Sequence, residues 1–254
     1  MKQIAILFTV LAVGFAAARA LAGSFPDGPG GPQIAVVNLS SLSDMVIQTD
    51  LPVFQAYADQ VCAAWHCSGR LYLADHHADS STDWVFTINN KSDVDGAIGY
   101  YTEVNGQIQA FVSVQTAREV GMSWTIVFTH ELAEALVDPE AAATENTACD
   151  TEFNGISVDY VNCTFYAKEN ADPVQGKAYL LTVGGVTRKV SDFVYRSWFE
   201  VDSKGPYDAA RALASPLSLY KNSYLSVYRD GGWQQQDTFG MRRNWDAFGS
   251  YVRP

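Results

Sequence analysis

One segment of this 254-residue chain carries ionisable side chains at a spacing that suits metal chemistry. The segment reads THELAEALVDP, from Thr129 to Pro139. It predicts a helix over Ser123–Val137, because that stretch has no internal glycine or proline and Pro139 ends it. On such a helix His130 and Glu134 are four residues apart, so their side chains project from one face, one turn apart. The spacing therefore predicts two ligands for a single metal ion.

Glu131 lies about 100° around the helix from His130, where it could reach a molecule on the metal without being a ligand itself. This is the geometry of the H-E-x-x-H motif, in which two histidines hold zinc and the glutamate is the general base. In this chain the second ligand is Glu134, which gives H-E-x-x-E, and zinc accepts a carboxylate oxygen. Asp138 is either a further ligand, if the chain turns back at Pro139, or a hydrogen-bonding partner of a ligand.

A simpler interpretation of the same helix is a solvated face that carries histidine and glutamate, since glutamate is an ordinary helix former. The flanking residues argue against it, because the motif is preceded by Thr125-Ile126-Val127-Phe128 and followed by Leu136-Val137. Acids within such an apolar helix must be paired when they are buried. The pattern therefore favours a metal or catalytic site.

The overall composition excludes several classes of function. The chain has 28 acidic and 17 basic residues, a formal charge of −11, which repels phosphate backbones and predicts that no nucleic acid is bound. A cation is the better-matched partner. Aromatic residues make up 13% of the chain, too many for a disordered protein that cannot bury them.

The N-terminus has the order of a secretory signal peptide, predicted over residues 1–22. Lys2 precedes an apolar stretch at Ile4–Ala18, and Ala20-Leu21-Ala22 is a cleavage pattern of the A-x-A type. The apolar stretch is short for a transmembrane helix, and an uncleaved anchor is the alternative. A spacer rich in glycine and proline follows at 23–33. We expect a secreted or periplasmic protein with no membrane segment after signal cleavage.

The four cysteines are an even number, as expected for an exported protein in oxidising surroundings. Cys62–Cys67 and Cys149–Cys163 are the predicted disulfides, because each pairing closes a short local loop. A zinc site made of cysteines is the alternative, but their spacing does not give the usual C-x2-4-C pairs.

The element pattern predicts an α+β fold with a mixed sheet. Residues 34–140 are predicted to form an N-terminal lobe with the motif helix, and residues 141–254 a β-rich C-terminal lobe of the same domain. A second helix is predicted over Asp50–Trp65, with Asp50 as its cap. Strands are predicted at 33–42, 70–74, 83–89, 107–115, 157–160, 177–183, 191–194, 224–229 and 232–238. The acidic stretch at 140–150 shows no convincing periodicity.

The motif helix resembles that of zincin-type metallopeptidases. It is similar, more closely, to an uncharacterised family of bacterial and phage proteins with a helix of the type H-E-L-x-E-x-x-x-D-P. The resemblance covers most of residues 34–236, and its other blocks are Gly96–Tyr100, Glu169–Gln175, Val190–Val194, Ser197–Phe199 and Gly231–Gln234. It implies a zincin-like fold, in which an edge strand borders a cleft and the motif helix lies behind it.

The chain departs from the zincin pattern in its ligands, because no third histidine follows the motif. The third protein ligand is therefore expected to be a carboxylate, and Glu169 and Asp172 are the candidates, although both also suit a solvated turn. Zinc is the first expectation for the metal, and calcium or manganese the alternative, since hard cations favour oxygen ligands. Tyr100 and Tyr101 are candidate contacts for a substrate or an oxyanion.

These features together predict an exported, zincin-like, metal-dependent peptidase that acts on a peptide or protein. Glu131 would take a proton from the attacking water. The alternative is a protein without catalytic activity, in which the same acids bind a structural cation or a partner. A virion or cell-surface component on a zincin-like frame is a third hypothesis, which rests on the phage resemblance alone.

Overall fold

The computed structural model describes residues 31–75, 82–141, 144–153, 158–229, 232–238, 242–245 and 251–252. The predicted signal peptide and most of the spacer lie outside the described residues. Two compact units are present, one formed by residues 1–140 and 178–191 and the other by 141–177 and 192–254. Helices occur together with mixed and antiparallel sheets, so the α+β prediction is confirmed.

The first unit contains a five-stranded sheet in the order β2-β1-β3-β5-β4. Its strands are β1 (Gln33–Asn38), β2 (Arg70–Ala74), β3 (Trp84–Asn89), β4 (Gly99–Val104) and β5 (Gln107–Ser113). All neighbours are parallel except β4, which is antiparallel to β5 and lies at the edge. The interior strand β1, between β2 and β3, is apolar and buried from Ile34 to Val37, as a parallel strand covered on both faces requires.

The described residues of the first unit form three α-helices: α1 (Asp44–Trp65), α2 (Val114–Glu119) and α3 (Trp124–Val137). The motif helix α3 ends at Val137 as predicted and begins one residue after the predicted Ser123, whose side chain accepts a hydrogen bond from the backbone N–H of Thr125 at 3.4 Å. The predicted start of α1 at Asp50 is wrong, since the helix begins six residues earlier and includes Pro52. Asp50 does not cap the helix, because it is a buried interior residue.

Aromatic packing fixes α3 between α1 and the sheet. The ring of Phe128 stacks on Phe54 of α1, with centroids 4.4 Å apart, and lies 5.4 Å from Phe86 of β3. Trp124 meets Phe54 edge-on at 5.5 Å. Buried aromatic pairs of this kind each contribute about 0.5 to 1.5 kcal/mol beyond area burial, so they hold the motif helix firmly.

A hairpin from later in the chain, β8 (Ala178–Val183) and β9 (Val186–Ser191), also packs on α1 and α3. Thr129 of α3 accepts a hydrogen bond from the backbone N–H of Ser191 at 2.8 Å. Arg188 of β9 forms an ion pair with Asp50 of α1, with Nη2 and Oδ1 2.6 Å apart. The hairpin therefore holds the residue before His130 in place.

The second unit contains a six-stranded antiparallel sheet in the order β13-β12-β11-β10-β7-β6. The strands are β6 (Thr144–Phe153), β7 (Val158–Ala167), β10 (Tyr224–Arg229), β11 (Gly232–Asp237), β12 (Arg242–Trp245) and β13 (Tyr251–Val252). The acidic stretch without periodicity therefore forms most of β6. The segment forms a strand because its backbone pairs with β7, although the pattern of its side chains did not predict a strand.

The predicted disulfide between Cys62 and Cys67 is present and joins the end of α1 to the following turn. The side chains of Cys149 and Cys163 lie outside the described residues, so that pairing stays a prediction. Among the helices described, none combines the length and apolar character needed to cross a bilayer.

We expect Arg188→Met to lower the free energy of unfolding by about 3 kcal/mol, because it leaves the Asp50 carboxylate buried without its cation. Asp50 is 1% exposed, whereas Arg188 is 34% exposed, so the penalty falls on the acid. Urea denaturation measures this change in the free energy of unfolding. Lys189→Met, at the exposed neighbouring position, is the control and should change stability by less than about 0.5 kcal/mol.

Candidate metal centre

The ionisable side chains of the motif helix are all buried. His130 and Glu131 are 1% exposed and Glu134 is 2% exposed. The interpretation of this helix as a solvated face is therefore wrong. Burying an isolated carboxylate is costly, so groups of this kind are normally paired or bind a metal.

His130 and Glu134 face each other along α3, as their spacing predicted. The imidazole Nε2 lies 3.2 Å from the Glu134 Oε1. Two ligands of one ion, at bond lengths near 2.1 Å and at tetrahedral or octahedral angles, are roughly 3.0 to 3.4 Å apart. The two side chains therefore already have the separation that a shared cation requires.

Asp172 joins these two residues. His130, Glu134 and Asp172 each offer one ligand atom, and the three atoms all lie within 4.8 Å of one another. Ligand atoms bonded to one ion at up to about 2.4 Å cannot be more than about 4.8 Å apart, so these separations are compatible with a single shared ion. Asp172 opens a short 3-10 turn, Asp172–Val174, and is 1% exposed.

The donor set matches a divalent cation. One imidazole and two carboxylates suit zinc or manganese, and a cation would compensate two acidic groups that have almost no access to water. This buried group could therefore hold a metal ion. The preference for zinc stays a prediction, because imidazole and carboxylate donors serve several metals.

Other predicted site residues have different positions. Glu169 is 8% exposed but is not part of the three-residue group. Asp138 is the C-terminal cap of α3, and its carbonyl accepts a hydrogen bond from the Tyr101 hydroxyl at 3.0 Å. The Tyr100 hydroxyl donates to Asp93 at 2.7 Å. Burial, and then this contact with the acid, raise the pKa of Tyr100. Both tyrosine hydroxyls therefore bond within the protein.

Glu131 lies against the edge strand β4. A Cβ atom added to Gly99 would be 2.6 Å from the Glu131 Oε1 and 2.5 Å from a methyl carbon of Val127. Only a residue without a side chain allows this approach of strand to helix. Gly99 therefore sets the position of the carboxylate predicted to act as the base.

Two buried acids that the sequence did not single out form a separate pair in the second unit. Asp192 and Asp208 are both fully buried, and their side chains are hydrogen-bonded to each other. The Asp192 Oδ1 accepts from the backbone N–H groups of Phe193 and Ala210, each at 2.9 Å. Burial, and then the contact with Asp208, raise the pKa of Asp192 to about 8. In the sequence, an acid between the apolar residues of Val190–Val194 could have indicated a buried carboxyl group.

Comparison of the chain with protein-family models, curated proteins and solved structures gives no match. The functional assignment therefore depends on the geometry of the site.

We expect Gly99→Ala to destabilise the protein by about 1 to 3 kcal/mol, because the new methyl group must displace Val127 or the Glu131 carboxylate. Thermal unfolding measures the loss. Gly232→Ala is a matched control in another strand, since an added Cβ there meets nothing within 4 Å. Equal stability of the two variants would contradict the tight fit assigned to Gly99.

The Asp192–Asp208 pair predicts a dependence of stability on pH. The unfolded chain releases the Asp192 proton near pH 3.8, whereas the native pair holds it until about pH 8. The stabilisation that the native state gains by holding this proton is complete below pH 3.8 and is lost as the pH rises towards about 8. Asp192→Asn should make the midpoint of urea unfolding nearly independent of pH in this window, because the amide stays neutral and keeps an acceptor oxygen. Asp202→Asn, at an exposed position, is the control and should leave the pH dependence of the midpoint unchanged.

Proposed function

We propose that this protein is a metal-dependent peptidase whose cation is held by His130, Glu134 and Asp172. The observation that carries the proposal is the group of three buried ligand atoms within 4.8 Å of one another. The placement of Glu131 on the same helix, next to two of these ligands, supports hydrolysis as the reaction.

A divalent cation at this position would supply Lewis acidity, which polarises a carbonyl and makes water a better nucleophile. Glu131 takes a proton from the attacking water and later delivers it to the leaving nitrogen as the C–N bond breaks. One carboxylate suffices for both transfers, since it is first a base and then an acid. The low exposure of Glu131 favours this role, because removal from water strengthens the electrostatic interactions of a carboxylate.

The edge strand β4 supports a peptide as the substrate class. It is the last strand of its sheet and carries Gly99, the residue that lies against Glu131. An extended peptide pairs with an exposed sheet edge through its main chain and needs no particular side chains for this. An extended substrate along β4 would lie close to the base.

A structural cation site is the second candidate function, and the burial of the ligands favours it. His130, Glu134 and Asp172 are each 2% exposed or less, so the described conformation leaves a substrate little access. A cation in such surroundings would stabilise the fold by binding only the native state. Glu131 would then have no role in proton transfer.

We propose export as the setting of either function. The disulfide between Cys62 and Cys67 supports it, because such bonds persist in oxidising compartments. The predicted signal sequence at residues 1–22 gives the route.

Glu131→Gln separates catalysis from cation binding. We expect the variant to keep its metal and to lose about 10²- to 10⁴-fold in kcat/KM, because the amide cannot accept the proton. His130→Ala should lose the metal. Metal content by mass spectrometry and cleavage of a quenched peptide library give the two measurements.

The exposed substitutions Glu119→Gln and His66→Asn are the controls and should change neither measurement. Retained metal with no cleavage by the wild-type protein would select the structural cation. Wild-type protein without metal after incubation with zinc, manganese or calcium would reject both functions.

A further inference from the structure

Asn170, two residues before Asp172, is fully buried, and its side-chain amide has no hydrogen-bond partner among the residues that the structure describes. It has 0% exposure, and neither its Nδ2 nor its Oδ1 has a hydrogen-bond partner among the described residues. Buried amides in native proteins are nearly always bonded, so an orphaned one calls for a partner of another kind. A bound ion or an ordered water is the usual answer.

The position of Asn170 relative to Asp172 is fixed by backbone hydrogen bonds. The Asn170 carbonyl accepts from the N–H of Val194 at 2.7 Å, and the Pro173 carbonyl accepts from the N–H of Tyr220 at 2.9 Å. Two residues along a chain span at most about 7 Å between Cα atoms. The Cα atoms of Asn170 and Asp172 are therefore at most about 7 Å apart, and backbone hydrogen bonds hold this segment in place.

We propose that the Oδ1 of Asn170 is a fourth ligand of the cation, an inference that rests on the proposed cation site. The carboxamide oxygen is a common ligand of hard cations such as Ca²⁺. Zinc, in contrast, is bound by cysteine, histidine and carboxylate. One imidazole with three oxygens then describes a site that accepts an oxygen-preferring divalent cation such as Mn²⁺. The fourth ligand also gives the buried amide a partner, which the described residues do not provide.

Asn170→Leu tests the proposal, because leucine has a similar volume and no oxygen. Without metal, its thermal midpoint should equal or exceed that of the wild type, since the variant buries no unpaired amide. With metal, its affinity for Mn²⁺ should fall at least tenfold in calorimetric titration. The two opposite shifts exclude a general loss of packing as the cause.

Asn170→Asp keeps an oxygen at the same place and should retain Mn²⁺ affinity within threefold or bind more tightly. A weakening equal to that of the leucine variant would overturn the ligand role, because it would show that the amide N–H groups matter instead. Should the leucine variant not fold, Asn170→Ala replaces it in the same titration.

Gln175→Leu is the matched control, since Gln175 is buried and its Nε2 also has no hydrogen-bond partner among the described residues. Its affinity for Mn²⁺ should equal that of the wild type. If Asn170→Leu bound Mn²⁺ as tightly as the wild type, the ligand role of Asn170 would be overturned, but the proposed cation site would not. Absence of Mn²⁺, Ca²⁺ and Zn²⁺ binding in the wild type would instead overturn the proposed cation site.

Discussion

The burial of charge is the constraint on which the rest of this structure depends. His130, Glu131, Glu134 and Asp172 are each at most 2% exposed, so water cannot solvate the carboxylates among them. A protein that folds around such groups must provide opposite charge or bind it. The possible ligand atoms of His130, Glu134 and Asp172 lie within 4.8 Å of one another, so this group could hold a cation of opposite charge.

In the first unit the motif helix is held by contacts on several sides. Phe128 stacks against α1, and Thr129 accepts a hydrogen bond from β9, so the residues that precede His130 are anchored on two sides. Gly99 brings β4 against Glu131 on a third side. Two side chains that are already 3.2 Å apart would lose little conformational entropy on binding an ion. Rigidity and burial thus serve the same function.

The two proposed functions place different requirements on the burial of the site. A structural ion needs complete enclosure, whereas a catalytic one needs an open coordination position and a path for the substrate. The described conformation encloses the ligands, while the placement of Glu131 beside an edge strand suits a reaction on an extended chain. A peptidase of this design would have to admit its substrate by a movement around the site, and such movements limit the rate of many enzymes.

The sequence by itself determined what local periodicity and spacing encode. It predicted α3, the pairing of His130 with Glu134 on one face of that helix, and the α+β class, because each depends on residues a few positions apart. It did not determine the start of α1, the strand β6 or the partner of Asp50, since burial and pairing with distant segments override local preference. Glu169 and Asp172 were equal candidates in the sequence. Only the tertiary structure placed the Asp172 carboxylate with the helix ligands and left Glu169 outside the group, because the path of the backbone through the 3-10 turn decides which acid converges on them.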